Sequence, residues 1–117
     1  MKVKVSELSG AALDWAVAKC EGLGDYYLKW WNVGGDRRFT HCTIICGYST
    51  FWSEGGPIIE RELVDVCYCF AGHSWQAERY LRDESAVAYG PTPLTAAMRC
   101  YVASKLGDEV EIPKELV

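Results

Sequence analysis

The sequence lacks several features by which function is commonly recognised. No apolar run approaches the roughly 18 residues that a membrane-spanning helix needs. Histidine occurs only twice in the 117 residues. Neither His41 nor His73 forms a recognisable nucleophile arrangement with a Ser, Cys or carboxylate. We therefore expect no catalytic residues and no enzymatic activity, no cofactor, and no membrane association.

An excess of positive charge is also missing. The chain has 12 Lys and Arg against 16 Asp and Glu, a formal net charge of −4. Proteins that bind duplex DNA by neutralising phosphates usually carry a basic face. This balance argues against DNA as a partner, although Arg37-Arg38 and the pair Arg79 and Arg82 are locally basic. Because Met1–Val5 lacks the apolar core of a signal peptide, we expect the protein in the cytoplasm.

The chain has six cysteines, which could form disulfide bonds or bind a metal ion. Disulfides are disfavoured because cytosolic thiols stay reduced. The candidate zinc ligands are His41, Cys42, Cys46, Cys67, Cys69 and His73. Structural zinc sites favour two-residue gaps in turns, whereas these cysteines lie in apolar, strand-like runs where reduced cysteine behaves as a small hydrophobe. We therefore predict no metal site.

Turn-forming residues divide the chain into short elements within one domain, residues 1–117. A strand over Met1–Val5 precedes a helix over Ala11–Lys19, which Gly22 and Gly24 end. Five further segments, rich in β-branched and aromatic residues, are predicted strands: Tyr26–Val33, Phe39–Cys46, Glu62–Ala71, Ser74–Leu81 and Ser85–Tyr89. Their close spacing favours antiparallel hairpins. The predicted fold class is α+β, an antiparallel sheet of about five to six strands with an N-terminal and a C-terminal helix on one face.

The last third of the chain carries the clearest helix signals. Thr92 fits the N-cap, Pro93 the first helical position, and Gly107 the left-handed stop. The residues predicted for its buried face are Leu94, Met98, Tyr101 and Val102. A short tail follows, in which Pro113 forbids a further helix.

Four segments are distinctive in content and order: Met1–Lys19, Trp52–Glu62, Trp75–Ala77 and Gly90–Val110. With the motifs GGPIIERE and TPLTAAMRCYVASKLGDEV, this order resembles the NinX-like family of small proteins encoded in lambdoid phages and prophages. The resemblance covers both ends of the chain and one central loop. It implies a phage-encoded accessory protein in the host cytoplasm, and it carries over no catalytic residues.

The segment Trp52–Glu62 is the first candidate for ligand binding. Its Ser53–Pro57 part is predicted to be a flexible turn, in which Gly55 and Gly56 let backbone approach a small molecule and Trp52 stacks on a ring. The alternative is a plain hairpin connection with a buried tryptophan.

The turn from Tyr89 to Thr92 is the second candidate, because it leads into a helix N-terminus. Unpaired N–H groups and the positive end of the dipole favour an anion there. Thr92 as a simple cap is the alternative. Arg61 or Arg99 would pair with a phosphate group.

Five tryptophans and seven tyrosines are many for a chain of this length. On a strand, Trp30 and Trp31 would point to opposite faces, so one of them would meet solvent, a partner subunit or a ligand. Trp15 is predicted on the outer side of its helix. Surplus exposed aromatics indicate either a ring-stacking pocket or an oligomer interface.

Two functional hypotheses remain open. The first is a protein that sequesters a small phosphorylated, aromatic ligand such as a nucleotide signal of host defence. Its candidate binding residues are Trp30, Trp31, Trp52, Gly55, Gly56, Arg61, Tyr89, Thr92 and Arg99. The second is a protein-interaction module that assists phage recombination or replication. Because the predicted strands are apolar on both faces, we also expect a homo-oligomer, a two-fold dimer.

Overall fold

The computed structural model describes residues 1–32, 47–80 and 85–116, with the side chains of 30–32 outside that description. The elements, in chain order, are β1 (Lys2–Lys4), a 3-10 turn (Val5–Glu7), α1 (Gly10–Cys20), α2 (Gly24–Asn32), α3 (Trp52–Arg61), β2 (Val64–Cys69), β3 (Ser74–Tyr80), β4 (Ser85–Gly90), α4 (Pro93–Leu106), β5 (Glu109–Glu111) and a 3-10 turn (Lys114–Leu116). The α+β class with antiparallel strands is confirmed.

The described strands form two separate antiparallel sheets. One has the order β2-β3-β4, and the other pairs β1 with β5. In the larger sheet Ala77 lies between Val66 and Ala88, and these small side chains face the helices. In the smaller sheet Val3 pairs with Val110. Strand β5 lies in the tail, where the sequence predicted no strand.

Helix α4 forms the centre of the core. Its residues Leu94, Met98, Tyr101 and Val102 are buried as predicted. Ala96, Ala97 and Cys100 are buried as well, because α4 packs against the larger sheet on one side and against α1 and α3 on the other. A helix covered on several sides is apolar beyond a single stripe.

The predicted ends of α4 are confirmed. The Thr95 N–H donates to Thr92 Oγ1 at 3.1 Å, and Pro93 is the first helical residue. Gly107 ends the helix with φ of 89°, a value that glycine adopts without a steric cost.

The predicted strand Tyr26–Val33 is wrong, because residues Gly24–Asn32 form α2. The Tyr27 N–H donates to the Leu23 carbonyl, and Tyr27 is buried where α2 packs on α1. The preference of aromatic residues for strands depends on how their side chains pack, and here the packing of α2 against α1 favours a helix. The alternation argument for Trp30 and Trp31 loses its premise, since neighbours on a helix are only about 100° apart. Their side chains, like the predicted strand Phe39–Cys46, lie outside the described residues.

Two further predictions are corrected by helix packing. The segment Trp52–Glu62 is not a flexible loop, because α3 runs through both glycines and Pro57. Trp15 does not face solvent: it is only 7% exposed, since α2 and α4 both pack on α1. The Lys19 ammonium lies 5.3 Å from the Trp15 ring centre.

The four described cysteines, Cys20, Cys67, Cys69 and Cys100, are free thiols. Burial raises the pKa of Cys20 to about 11, and burial raises the pKa of Cys100 to about 11 as well. Within the described residues, no group of three or more His, Cys, Asp or Glu side chains could hold a metal ion. His41, Cys42 and Cys46 fall in the part of the chain that the structure leaves undescribed.

No helix in the described part of the chain is both long enough and apolar enough to cross a membrane.

Candidate functional site

Three helices begin at one cleft on the surface. Its volume is about 500 Å³, and we call it the N-terminal cleft. It is lined by Gly10, Ser49, Thr50, Trp52, Thr92, Pro93, Leu94 and Thr95. Gly10 is the first residue of α1, Trp52 the first of α3, and Pro93 the first of α4. The cleft is thus built from three helix N-termini and the turn that precedes α3.

Packing between α3 and α4 sets this convergence. At one end Gly55 lies so close to Leu94 that a Cβ on the glycine would be 2.7 Å from Leu94 Cδ2. At the other end Arg61 Nη2 lies 3.3 Å from the Tyr101 hydroxyl. Contacts in the same order along both helices mean that the helices run side by side in the same direction. Their N-termini therefore open at the same end of the molecule.

The N–H groups of these helix starts differ in how they are capped. The N-cap residues of α1 and α3, Ser9 and Phe51, make no side-chain capping bond. The first N–H groups of a helix have no partner four residues back within it. In α3 the Glu54 N–H donates to the Phe51 carbonyl at 3.0 Å, so the donors at the cleft are the N–H groups that begin α1 and α3, at Gly10 and Trp52. In α4, Thr92 Oγ1 accepts from the Thr95 N–H and donates to Thr95 Oγ1 at 2.8 Å. Three positive dipole ends meet here, which favours an anion.

An aromatic side chain completes the cleft. Trp52 is 57% exposed, although it begins a helix whose residues Gly55 and Ile58 are buried. The preceding Phe51 is also exposed. A large exposed indole beside anion-binding N–H groups provides a flat apolar surface on which a ring can stack.

A buried carboxylate holds the turn that carries two lining residues. Asp14, on α1, is only 8% exposed, and its Oδ1 accepts the Ser49 N–H at 2.9 Å. Burial raises the pKa of Asp14 above 3.8, while hydrogen bonds from Ser49 act in the opposite direction. Asp14 thus fixes Ser49 and Thr50 beside the start of α1, at the cost of burying a charge.

The Asp14→Asn variant is expected to gain stability relative to the wild type as pH rises. In the wild type the pKa of Asp14 is raised on folding. The folded protein therefore binds the proton of this carboxyl group more tightly than the unfolded chain does. The wild type therefore loses stability as pH rises from 3.8 through the raised folded value. Asparagine carries no such charge, and its oxygen still accepts the Ser49 N–H. Urea denaturation of both proteins from acid to neutral pH measures the difference.

Asp14→Ala is the matched control for this pH series. Compared with Asp14→Asn, it leaves the half-buried Ser49 N–H without its acceptor, which costs about 1–3 kcal/mol at every pH. A difference between Asp14→Asn and the wild type that shrinks with rising pH would contradict the assignment.

The structure brings together two of the predicted ligand residues and separates the others. Trp52 and Thr92 both line the N-terminal cleft. Gly55 is buried and its N–H donates to the Phe51 carbonyl, so it is not a residue of an exposed loop. Gly56, the next residue of α3, lies against Trp52.

The predicted arginines lie away from the cleft. Arg61, at the far end of α3, places Nη2 2.9 Å from both carboxylate oxygens of Glu21. Arg99 donates to the main-chain carbonyls of Leu8 and Tyr89, each at 2.8 Å. Burial lowers the pKa of Arg99. Tyr89 and Arg99 thus belong together, in a groove beside β4.

Sequence reasoning missed six lining residues of the cleft: Gly10, Ser49, Thr50, Pro93, Leu94 and Thr95. Ser49 and Thr50 follow Gly47 and precede a helix, a pattern typical of helix starts. That signal was available, but the following glycines led to the prediction of a loop instead of a helix.

A comparison with protein families matches residues 4–105 to the family described as Bacteriophage P22, NinX. The match spans most of the chain, including the cleft and the larger sheet. The chain belongs to this NinX phage protein family. A search of the curated proteins finds no match.

Proposed function

We propose that this NinX-family protein binds and sequesters a small anionic ligand with an aromatic ring, of the nucleotide class, in the N-terminal cleft. One observation carries the proposal: three helix N-termini converge on a cavity that also exposes Trp52. In this arrangement an anion and an aromatic ring are recognised side by side, as a nucleotide requires. The N-terminal cleft has a volume of about 500 Å³, which is in the range of small-molecule sites.

The two ends of such a ligand meet different groups. A phosphate accepts hydrogen bonds from the N–H groups that begin α1 and α3 and from the Thr50 hydroxyl. The base stacks on Trp52, an interaction worth about 1–3 kcal/mol per base. All the lining residues are uncharged at their side chains, so the positive potential comes from helix dipoles. We therefore expect a ligand with one or two phosphate groups.

Isothermal titration calorimetry with a panel of mononucleotides, cyclic dinucleotides and ADP-ribose tests this proposal. We expect at least one compound to bind, and at 100 times its Kd to stabilise the fold by about 2.7 kcal/mol. Replacing Trp52 by Ala removes the stacking surface, and should weaken binding of that compound roughly 5- to 100-fold. Because Trp52 is mostly exposed, this variant is expected to fold.

Phe70→Ala is the matched control, because Phe70 is an exposed aromatic residue, 80% accessible, outside the cleft. It should leave binding unchanged. No binding across the whole panel, or an equal loss in both variants, would refute the proposal.

A second candidate, the protein-interaction module, is supported by an exposed aromatic cluster at the β2–β3 hairpin. The Tyr68 ring makes edge contacts with Phe70 at 4.8 Å and Trp75 at 5.2 Å between ring centres. Aromatic residues are enriched at protein interfaces. If this cluster binds a protein of the recombination or replication machinery, a stoichiometric partner is recovered from infected cells with the wild type and is lost with Phe70→Ala. Loss with Trp52→Ala alone would contradict it.

The two-fold dimer also remains a proposal. Tyr80 and Tyr89 are exposed on the face of the larger sheet opposite α4, and self-association would cover them. Light scattering that gives the mass of one chain would rule it out.

A further inference from the structure

A second groove follows strand β4 along its whole length. Two adjoining cavities of about 650 and 520 Å³ share Val87, Ala103 and Asp108. Together they are lined by every residue of β4, Ser85–Gly90. We call this the β4 groove. It is independent of the N-terminal cleft, with which it shares no lining residue.

The groove has a floor and two walls. Strand β4 is one wall, and residues 4–6 with residues 107–109 form the other. The floor comes from α4, where Arg99, Ala103 and Ser104 face the groove. Ala103 and Ser104 are small, so backbone can lie close to the helix.

Strand β4 has one edge with which no described strand pairs, and we call it the free edge. Among the described strands it pairs only with β3, and β1 pairs only with β5. The two sheets are therefore separate, and the β4 groove lies between them. Main-chain N–H and C=O groups at a free edge form a template for another strand.

A cation stands at one end of this groove. Arg99 Nε and Nη1 donate to the carbonyls of Leu8 and Tyr89, and these contacts fix the guanidinium without neutralising it. Within the described residues, Arg99 has no carboxylate partner. Asp108 lines both cavities of the groove, and Glu109 and Lys4 line the cavity that contains Arg99, but neither carboxylate pairs with the guanidinium. An occupant is therefore favoured if it presents a carboxylate beside Gly90.

We propose that the β4 groove binds an extended peptide, which adds a strand to the free edge of β4 and places a carboxylate on Arg99. Main-chain hydrogen bonds to β4 supply affinity in this mode, and side-chain contacts supply specificity. A length of about six residues matches the 6 residues of β4.

A single peptide strand suits the groove better than a second copy of this chain. A second copy would bring its own β4 with the wall of residues 4–6 and 107–109 beside it. That wall occupies the side on which the two β4 edges would have to meet. An isolated peptide has no such wall and can lie between the two sheets.

The probe for this proposal is a library of random heptapeptides displayed with free carboxyl ends. We expect enrichment of extended sequences that bind the intact protein. The enriched peptide is then synthesised with a free carboxylate and as its C-terminal amide. The carboxylate form should bind at least about tenfold more tightly if Arg99 recognises its end, in line with charge-assisted hydrogen bonding. Hydrogen exchange of β4 amides should slow when it binds.

Ala103→Phe fills the floor of the groove without removing a hydrogen-bonding side chain. This variant should weaken binding of the enriched peptide at least about tenfold. Ala71→Phe, in the exposed turn after β2, is the matched control and should have no effect. Far-ultraviolet circular dichroism and the melting temperature verify that both variants fold.

Four outcomes would overturn the proposal. The first is a library without enrichment, and the second is equal binding by Ala103→Phe and the wild type. The third is a dimer in light scattering whose β4 amides are protected without peptide, which would assign the groove to a second copy. A peptide whose binding depends on Trp52 instead of Ala103 would belong to the N-terminal cleft, and would also contradict it. None of these results bears on nucleotide binding, so the two proposals can fail separately.

Discussion

Replacing Met98 by Ala is expected to lower the free energy of unfolding by about 2–5 kcal/mol. Met98 has no exposed surface and lies at the middle of α4 within the core cluster. The truncation removes buried apolar contacts and leaves a cavity beside α4 in the core. Neighbours can relax into it only partly, because interiors are closely packed. Urea denaturation followed by circular dichroism measures the loss.

Met98→Leu is the control that separates the effect of lost side-chain volume from the effect of changing the residue type. It keeps an apolar side chain of similar volume, and should cost less than about 1.5 kcal/mol. A loss for Met98→Ala as small as that for Met98→Leu would show that α4 is not the central layer of the core.

The sequence predicted α4 correctly because its start and stop signals are local. Thr92 accepts a bond from a residue three positions on, and Pro93 and Gly107 act through their own backbone angles. None of these depends on distant packing. The strands β2, β3 and β4 were predictable for the same reason, since only four residues separate each strand from the next.

Helices α2 and α3 were missed because distant contacts overrode local preference. In α3, two glycines and Pro57 each disfavour a helix, by about 1 kcal/mol for Gly and 3 kcal/mol for Pro. The helix nevertheless forms where Gly55 packs against Leu94 and the Tyr48 carbonyl. In α2, Tyr27 is buried against α1. A single sequence does not show which partner will lie against such a segment.

Two residues of the N-terminal cleft were predictable from their residue type and position in the sequence, but the packing that brings the helix starts together was not. Trp52 and Thr92 were candidates from residue type and from the helix start, and the structure places both in one cavity. Arg61 was grouped with them because it follows Trp52 in sequence. Nine residues of helix at 1.5 Å per residue separate them by about 13 Å, so they lie at opposite ends of α3. Which helix ends meet depends on packing between α3 and α4, which no local motif encodes.

Gly55→Ala and Gly56→Ala, one residue apart on α3, are expected to change stability in opposite directions. A Cβ at Gly55 would overlap the Tyr48 carbonyl oxygen and lie 2.7 Å from Leu94 Cδ2. Relieving this contact requires backbone movement, with a cost of about 1–3 kcal/mol. At Gly56 the nearest atom to an added Cβ would be Trp52 Cε3 at 3.7 Å, an ordinary contact. The variant therefore gains about 0.5–1 kcal/mol from the better helix preference of alanine.

The same pair of variants separates a packing role from a ligand role for these glycines. The Gly55–Leu94 contact sets the spacing between α3 and α4. Gly55→Ala should therefore also move Trp52 relative to Thr92, and weaken the binding of any ligand in the N-terminal cleft. Gly56→Ala should leave such a ligand bound, because the α3–α4 contact is untouched. Urea denaturation measures the first difference and calorimetry the second. Destabilisation of equal size in both variants would mean that α3 does not pack on α4 through Gly55.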